Sequence, residues 1–123
     1  MFAPERAVVQ VLKSIQYLNG IPVYPEWAEN INQEKPYIVY STITNRHNLG
    51  FSSSYFSHDI QVLLFSSDFA FLKTCEPQII ETFNNFSSSD EGFIACQVVE
   101  SDIRFDPNLK LYALSITIRF FYQ

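Results

Sequence analysis

The sequence predicts an α+β domain in which two helices pack on one face of an antiparallel or mixed sheet of four to five strands. Apolar residues recur at helical spacing in two segments and at alternating spacing in several others,. Most of the alternating segments follow one another through short polar turns, which favours hairpin pairing. At 123 residues and 47% hydrophobic composition, we expect one domain over residues 1–123.

The first helix is predicted from about Pro4 to Leu18. Pro4 suits the first turn, where its missing N–H costs nothing, and Asn19-Gly20 supplies a left-handed stop. One apolar face is formed by Val8, Leu12 and Ile15,. The proline-rich segment Ile21 to Pro25 fits a short edge strand. Glu26 to Lys35 is predicted to be a loop or a single helical turn.

The second and third strands are predicted at Tyr37 to Ile43 and at about Tyr55 to Ser66. Between them, Thr44 to Ser54 is rich in serine and asparagine. Such a composition is typical of an exposed mobile loop. We therefore expect this loop to order on binding a partner.

A second helix is predicted after the capping cluster Ser66-Ser67-Asp68 and runs to Phe86. Pro77 lies inside it, which predicts a kink or a restart. The fourth strand is predicted at Phe93 to Val99. The apolar parity then switches, which predicts a bulge or break near Glu100-Ser101-Asp102.

The last strand is the longest alternating segment in the chain. Asp106-Pro107-Asn108-Leu109 predicts a β-turn, after which Lys110 to Tyr122 reads as one strand. Its apolar row predicts one buried face: Tyr112, Leu114, Ile116, Ile118, Phe120 and Tyr122. Strands this long exceed the usual five or six residues, so we expect part of the sheet to serve a neighbouring chain.

The composition argues against several function classes. Thirteen acidic and eight basic residues give a net charge of −5, which disfavours binding to a phosphate backbone. We find no apolar run long enough to span a membrane and no signal-peptide pattern at the N-terminus. Cys75 and Cys96 are separated and lack metal-site spacing, so we expect structural thiols in a protein made in a reducing cytoplasm.

The polar residues do not form a catalytic pattern. His58 and Asp59 are adjacent on a strand and must point to opposite faces, so a core or interface histidine is the simpler interpretation. The pairs Asp90-Glu91 and Glu100-Asp102 are typical of solvated turns. The three glycines are isolated and cannot build a phosphate loop,. We therefore expect no enzyme activity, no cofactor and no metal.

Apolar side chains on the second face of the sheet indicate a contact surface. Leu63 and Phe65 lie on that face of the third strand, and Phe121 lies there on the last strand. Exposed apolar residues on both sides of a sheet require cover. A partner chain and the segment Glu26 to Lys35 with Trp27 are equally good candidates. With the polar loop, the predicted contact residues are Arg46, His47, Asn48, Leu49, Phe51, Leu63, Phe65 and Phe121.

Taken in order, these segments resemble the tail terminator family of tailed phages, also called tail completion or minor tail proteins. The resemblance covers nearly the whole chain and lies in the N-terminal helix, Pro36 to Tyr40, Asp59 to Ser66 entering a helix, and Arg104-Phe105-Asp106-Pro107 before the last strand. Ala113 stands where that family often has arginine.

The resemblance implies a non-enzymatic subunit of a ring, usually a hexamer, within the virion tail. Its implied partners are further copies of itself, the tail tube protein and the head-completion or connector protein, with DNA passing through the ring without sequence-specific binding. Two alternatives remain open. One is another head–tail joining (neck) component, and the other is a cytosolic α+β module that binds a small ligand or regulates an enzyme.

Overall fold

The computed structural model describes residues 3–26, 36–49, 54–86 and 93–122, which form one five-stranded sheet and two α-helices. The predicted α+β class is confirmed. In chain order the elements are α1 (Ala3–Ser14), a 3₁₀ helix (Gln16–Leu18), β1 (Val23–Pro25), β2 (Tyr37–Leu49), β3 (Ser54–Ser66), α2 (Phe69–Asn84), β4 (Phe93–Asp106) and β5 (Leu111–Tyr122).

The sheet is mixed, with strand order β1-β2-β3-β5-β4. β1 pairs with β2 in parallel, and the three remaining pairs are antiparallel. β1 is the short edge strand that its prolines predict,. α2 carries the chain from β3 to β4, and β5 then fills the position between those two strands.

The core lies between the helices and one face of the sheet. Alternation places every second residue of β3 and β5 on this face, and their register brings Ile60 beside Ile118 and Leu64 beside Leu114. All four of these side chains are at most 1% exposed. The apolar sides of both helices close the cluster, through residues including Val8, Leu12, Leu72, Ile79 and Phe83.

Local signals set several element boundaries. Asp68 caps α2 by accepting a hydrogen bond from the Phe71 N–H at 3.2 Å, as the capping cluster predicts. The β4–β5 turn is held by the Asp106 side chain, which accepts from the N–H groups of Asn108 and Leu109. Its last residue, Lys110, adopts a left-handed conformation with φ of 57°.

The predicted loop from Thr44 to Ser54 is wrong in most of its extent. β2 continues to Leu49, and β3 begins at Ser54, directly opposite Leu49. Pairing with the strongly alternating β3 outweighs the weak strand propensity of these polar residues. The register slips once, between Thr42 and Thr44, which leaves Ile43 exposed. Residues 50–53 lie outside the described part.

Three further boundaries differ from the predictions. α1 ends at Ser14, and a 3₁₀ helix takes the chain to Leu18. α2 continues through Pro77 and ends at Asn84, so the predicted restart does not occur and the predicted kink stays a prediction. Buried residues on both sides of the proline, Cys75 and Ile79, anchor the helix to the same core. β4 is also continuous, and the predicted irregularity is a register shift between Val98 and Glu100. The predicted segment 27–35 is outside the described residues.

Candidate functional site: the outer face of the sheet

The sheet face opposite the helices, here called the outer face, is the candidate contact surface. Strand alternation places on it the residues that lie between those of the core rows. On β3 they are Ser57, Asp59, Gln61, Leu63 and Phe65, and on β5 they are Ala113, Ser115, Thr117, Arg119 and Phe121. The middle of the outer face is therefore polar, and its two ends are apolar.

An ion pair between adjacent strands lies in the polar middle. Arg119 Nε donates to Asp59 Oδ1 at 2.8 Å, and Arg119 Nη2 donates to Asp59 Oδ2 at 3.0 Å. This bidentate geometry is stronger than a single charged hydrogen bond. The Asp59 side chain is only 10% exposed, and its hydrogen bond raises the pKa of Arg119. The pair joins β3 to β5 and gives Asp59 a structural role.

A second polar contact extends the same row. Gln61 Nε2 donates to Ser115 Oγ at 3.0 Å. Because Gln61 faces Thr117 in the register, this bond is diagonal, and it ties the same two strands one step further along. Neither contact is evident from the sequence, since alternation gives the face of a residue but not its cross-strand neighbour.

The predicted contact residues at the apolar end are more buried than expected. Phe65 is 9% exposed, and its ring stacks on that of Tyr37 with centroids 4.8 Å apart. The expectation that Phe65 is exposed is therefore wrong. Burial and the nearby Asp106 charge raise the pKa of Tyr37. Leu63 and Phe121 are partly buried. Their predicted contact role stays a prediction.

The other predicted contact residues fall on the hairpin end of β2. Arg46, His47, Asn48 and Leu49 are strand residues, paired in order with Ser57, Phe56, Tyr55 and Ser54. Their side chains lie outside the described part, as does Phe51. The structure thus shows strand in place of the predicted loop at these four residues. Their contact role stays a prediction.

His58 lies on the core face, which confirms that it is a buried histidine pointing away from Asp59. It is 4% exposed, and its Nε2 lies 3.2 Å from Thr42 Oγ1. Thr42 Oγ1 in turn lies 3.0 Å from Glu5 Oε1 of α1. Burial lowers the pKa of His58, against the opposing effect of the Glu5 and Asp59 charges. The imidazole is thus a polar link in the packing of α1 on the sheet.

Both cysteines are free and buried, as expected of structural thiols. Cys96 Sγ donates to the carbonyl oxygen of Phe83 at 2.8 Å, which also accepts from the Phe86 N–H at 3.1 Å at the end of α2. Burial raises the pKa of Cys96 to about 12. Nearby, Asn84 Oδ1 accepts from the Val98 N–H at 2.8 Å. These two hydrogen bonds attach the C-terminal end of α2 to the edge strand β4.

The described residues contain neither a cluster suited to a metal ion nor a membrane-spanning helix. None of their histidine, cysteine or acidic side chains gather into a group of three suited to a metal ion. No helix in the described ranges has the length and apolar character needed to cross a membrane.

Comparison with known proteins gives a structural likeness. No protein-family model matches this chain, and no curated protein matches it in sequence. Its fold is similar to that of a chain in a solved structure described as the virion of a native gene transfer agent particle. The TM-score is 0.74 at 11% sequence identity, and the match covers 94% of this chain and 90% of that one. At this identity the likeness shows a shared fold.

Proposed function

We propose that this protein is a structural component of a phage-like virion, and more specifically a tail terminator. In that role copies of the chain form a ring, usually a hexamer, that caps the tail tube and joins it to the head-completion or connector protein. The observation that carries the proposal is the fold shared with a chain of a gene transfer agent virion over 94% of this sequence.

The edges of the sheet support assembly through a repeated contact. β4, with 14 residues, forms one edge of the described sheet, and at the other edge β1 covers only the Ile38 to Tyr40 part of β2. Because β2, β3, β5 and β4 alternate in direction, β4 of one copy placed beside β2 of the next would continue the antiparallel order. A contact between two different surfaces builds a ring when its rotation closes.

The chemistry of the polar side chains supports a role without catalysis. His58 and Asp59 point to opposite faces, and Asp59 is neutralised by Arg119. The net charge of −5 would let DNA pass through a ring without adhering to it. We propose the virion tail as the location of the assembled protein, after synthesis in the host cytoplasm.

The mass of the protein in solution tests the ring. Light scattering at micromolar concentration should give several times the 14.3 kDa of one chain. A ligand-binding or regulatory module would instead be a monomer or a dimer. A strictly monomeric species at high concentration contradicts the ring. Capsid, connector and tube genes beside its own gene would support the virion role independently.

The proposed role in joining the tail tube to the head is tested by changes in the hairpin between β2 and β3. Deleting Asn48 to Ser53 would remove two paired strand residues, Asn48 and Leu49. Phe51→Ser is the cleaner change, since it keeps the number of residues between the strands. We expect normal folding by circular dichroism and fewer joined particles by electron microscopy. Fully assembled particles with the Phe51→Ser protein would show that this side chain does not take part in docking.

A further inference from the structure

A cleft lies on the helical side of the molecule, where the C-terminal ends of α1 and α2 meet. Its volume is about 440 Å³, and it is open to solvent. We propose that this cleft binds a single arginine side chain presented by a partner protein. The lining residues that carry the argument are Ser14 and Gln16 from the α1 end and Gln78, Glu81, Thr82 and Asn85 from the α2 end.

The hydrogen bonds of the lining leave its two hydroxyl oxygens as acceptors, beside the Gln16 and Gln78 amides, which can both donate and accept,. Ser14 Oγ donates its proton to the Val11 carbonyl at 2.6 Å, and Thr82 Oγ1 donates to the Gln78 carbonyl at 2.7 Å. The Asn85 amide group donates to the Glu81 carbonyl at 3.0 Å. A hydroxyl has one proton and two lone pairs. With the protons of both hydroxyls committed to their own helices, these oxygens have only acceptor capacity left for a ligand.

The electrostatics of the cleft favour a cation. Glu81 contributes a carboxylate, and among the described residues no lysine or arginine forms an ion pair with it. The last turn of α2 contains no basic residue, and Lys13 in the last turn of α1 is exposed and forms no ion pair with Glu81. Helix C-termini carry partial negative charge that stabilises a nearby cation. The chain's own residues therefore leave the negative charge at this end of α2 without a basic partner on that turn.

Guanidinium fits this lining better than other cations do. Its planar group presents five N–H donors in a fixed fork, which can reach acceptors on two helices at once. A lysine ammonium is a compact charge with three donors. A hard divalent cation takes several charged oxygen ligands, and Glu81 is the one carboxylate among the lining residues. The occupant we infer is therefore an arginine of a neighbouring protein.

This inference goes beyond the proposed function, because it assigns a ligand chemistry to a surface on the opposite side of the molecule from the outer face. It does not depend on ring formation or on the identity of the particle. A binding experiment with a short peptide therefore tests it separately.

The test is a nuclear magnetic resonance titration of the full chain with the capped peptide Gly-Gly-Arg-Gly-Gly. The matched control peptide carries citrulline, which has the same shape as arginine without the charge. We expect saturable backbone amide shifts centred on Ser14, Gln78, Glu81, Thr82 and Asn85 in the millimolar range. The citrulline peptide should bind at least about fivefold more weakly than the arginine peptide.

Two variants locate the site. Glu81→Gln removes the carboxylate from an exposed side chain. It should weaken binding of the arginine peptide by about fivefold while preserving the spectrum of the folded protein. Glu100→Gln removes the same charge from the exposed β4 strand and should leave affinity unchanged. Equal binding of the citrulline peptide, equal binding by the Glu81→Gln protein, or no saturable shifts at millimolar peptide would each overturn the proposal.

Discussion

On β3, neighbouring residues face two different kinds of surroundings. Ile60 and Val62 enter the core beneath the helices and are at most 1% exposed. Asp59 and Gln61, which alternate with them, form hydrogen bonds to Arg119 and Ser115 on β5. The core face is stabilised by area removed from water, whereas the outer face is stabilised by paired polar groups whose partners must be in register.

The two faces therefore tolerate change differently. A core side chain can lose one contact and keep the others, but it cannot accept a charge. An outer-face side chain tolerates a polar replacement, provided that its cross-strand partner is not left buried and unpaired. The experiments below set matched changes on the two faces against each other, beginning with the largest expected effect.

Ile116→Asp should be the most damaging substitution. Ile116 is 1% exposed in the middle of the core row, and an unpaired carboxylate there costs several kcal/mol, which is comparable with the whole stability of a small domain. We expect an unfolded or aggregated protein by circular dichroism. The matched change on the adjacent outer-face residue, Ser115→Ala, should cost only about 1 kcal/mol in urea unfolding. Equal losses for the two would refute the distinction between the faces.

Removal of the ion pair should have an intermediate effect. Asp59→Asn keeps the size of the side chain but removes its charge from Arg119. Since Arg119 is 30% exposed and can be hydrated, we expect a folded protein whose free energy of unfolding falls by about 1–2 kcal/mol. In a double-mutant cycle with Arg119→Met, the two losses should be clearly non-additive. Additive losses would mean that the pair contributes little.

The core face should give the protein a pH dependence through His58. Its pKa is lowered by burial from the ordinary value of 6.5, so the unfolded state binds more protons at acidic pH. The stability that comes from the neutral imidazole is present above about pH 6.5 and is lost as the pH falls through the lowered pKa. Urea unfolding at pH 7.5 and 5.5 measures this loss.

Two variants separate His58 from the other histidine. His58→Gln should fold, with the amide available to Thr42, and should show a smaller loss between the two pH values. His47→Ala, which leaves the buried imidazole in place, should retain the loss of the parent protein. If His58→Gln keeps the full pH dependence, the acid sensitivity arises elsewhere.

A change in the β4–β5 turn should alter stability without changing either face. Lys110 has φ of 57°, a left-handed conformation that is strained for a residue with a side chain and natural for glycine. Lys110→Gly should raise the free energy of unfolding by up to about 1 kcal/mol, whereas Lys110→Val should lower it. Thermal unfolding followed by circular dichroism is sensitive enough, and a destabilised Lys110→Gly protein would show that the turn is not strained.

The sequence predicts the core face better than the outer face, for a physical reason. Alternation in β5 identifies one buried row, because the positions of a strand that face the core are occupied by apolar residues. The row consists of Leu114, Ile116, Ile118 and Phe120. The pairing of Asp59 with Arg119 depends on strand order and register. β5 lies between β3 and β4 although it follows both in sequence, and no local pattern specifies that order.

The same limit explains the errors in element boundaries. The polar residues of β2 from Thr44 to Leu49 lack a strand signal of their own and extend the sheet because β3 lies beside them. Pro77 predicts a kink or a restart, and α2 continues through it without a restart. For the candidate site, sequence identified Leu63, Phe65 and Phe121 as residues of the second face. It did not identify the cleft between the helix ends, which depends on how α1 and α2 approach each other.

The position of β5 has a consequence for synthesis on the ribosome. Every other strand and both helices leave the exit tunnel before Leu111–Tyr122, yet this strand is the one that hydrogen-bonds to both β3 and β4. Until it emerges, the nascent chain has a gap between those strands and an uncovered core. Because a domain gains its stability as a unit, we expect co-translational folding to be delayed until β5 has emerged, which makes assistance by chaperones important for its yield.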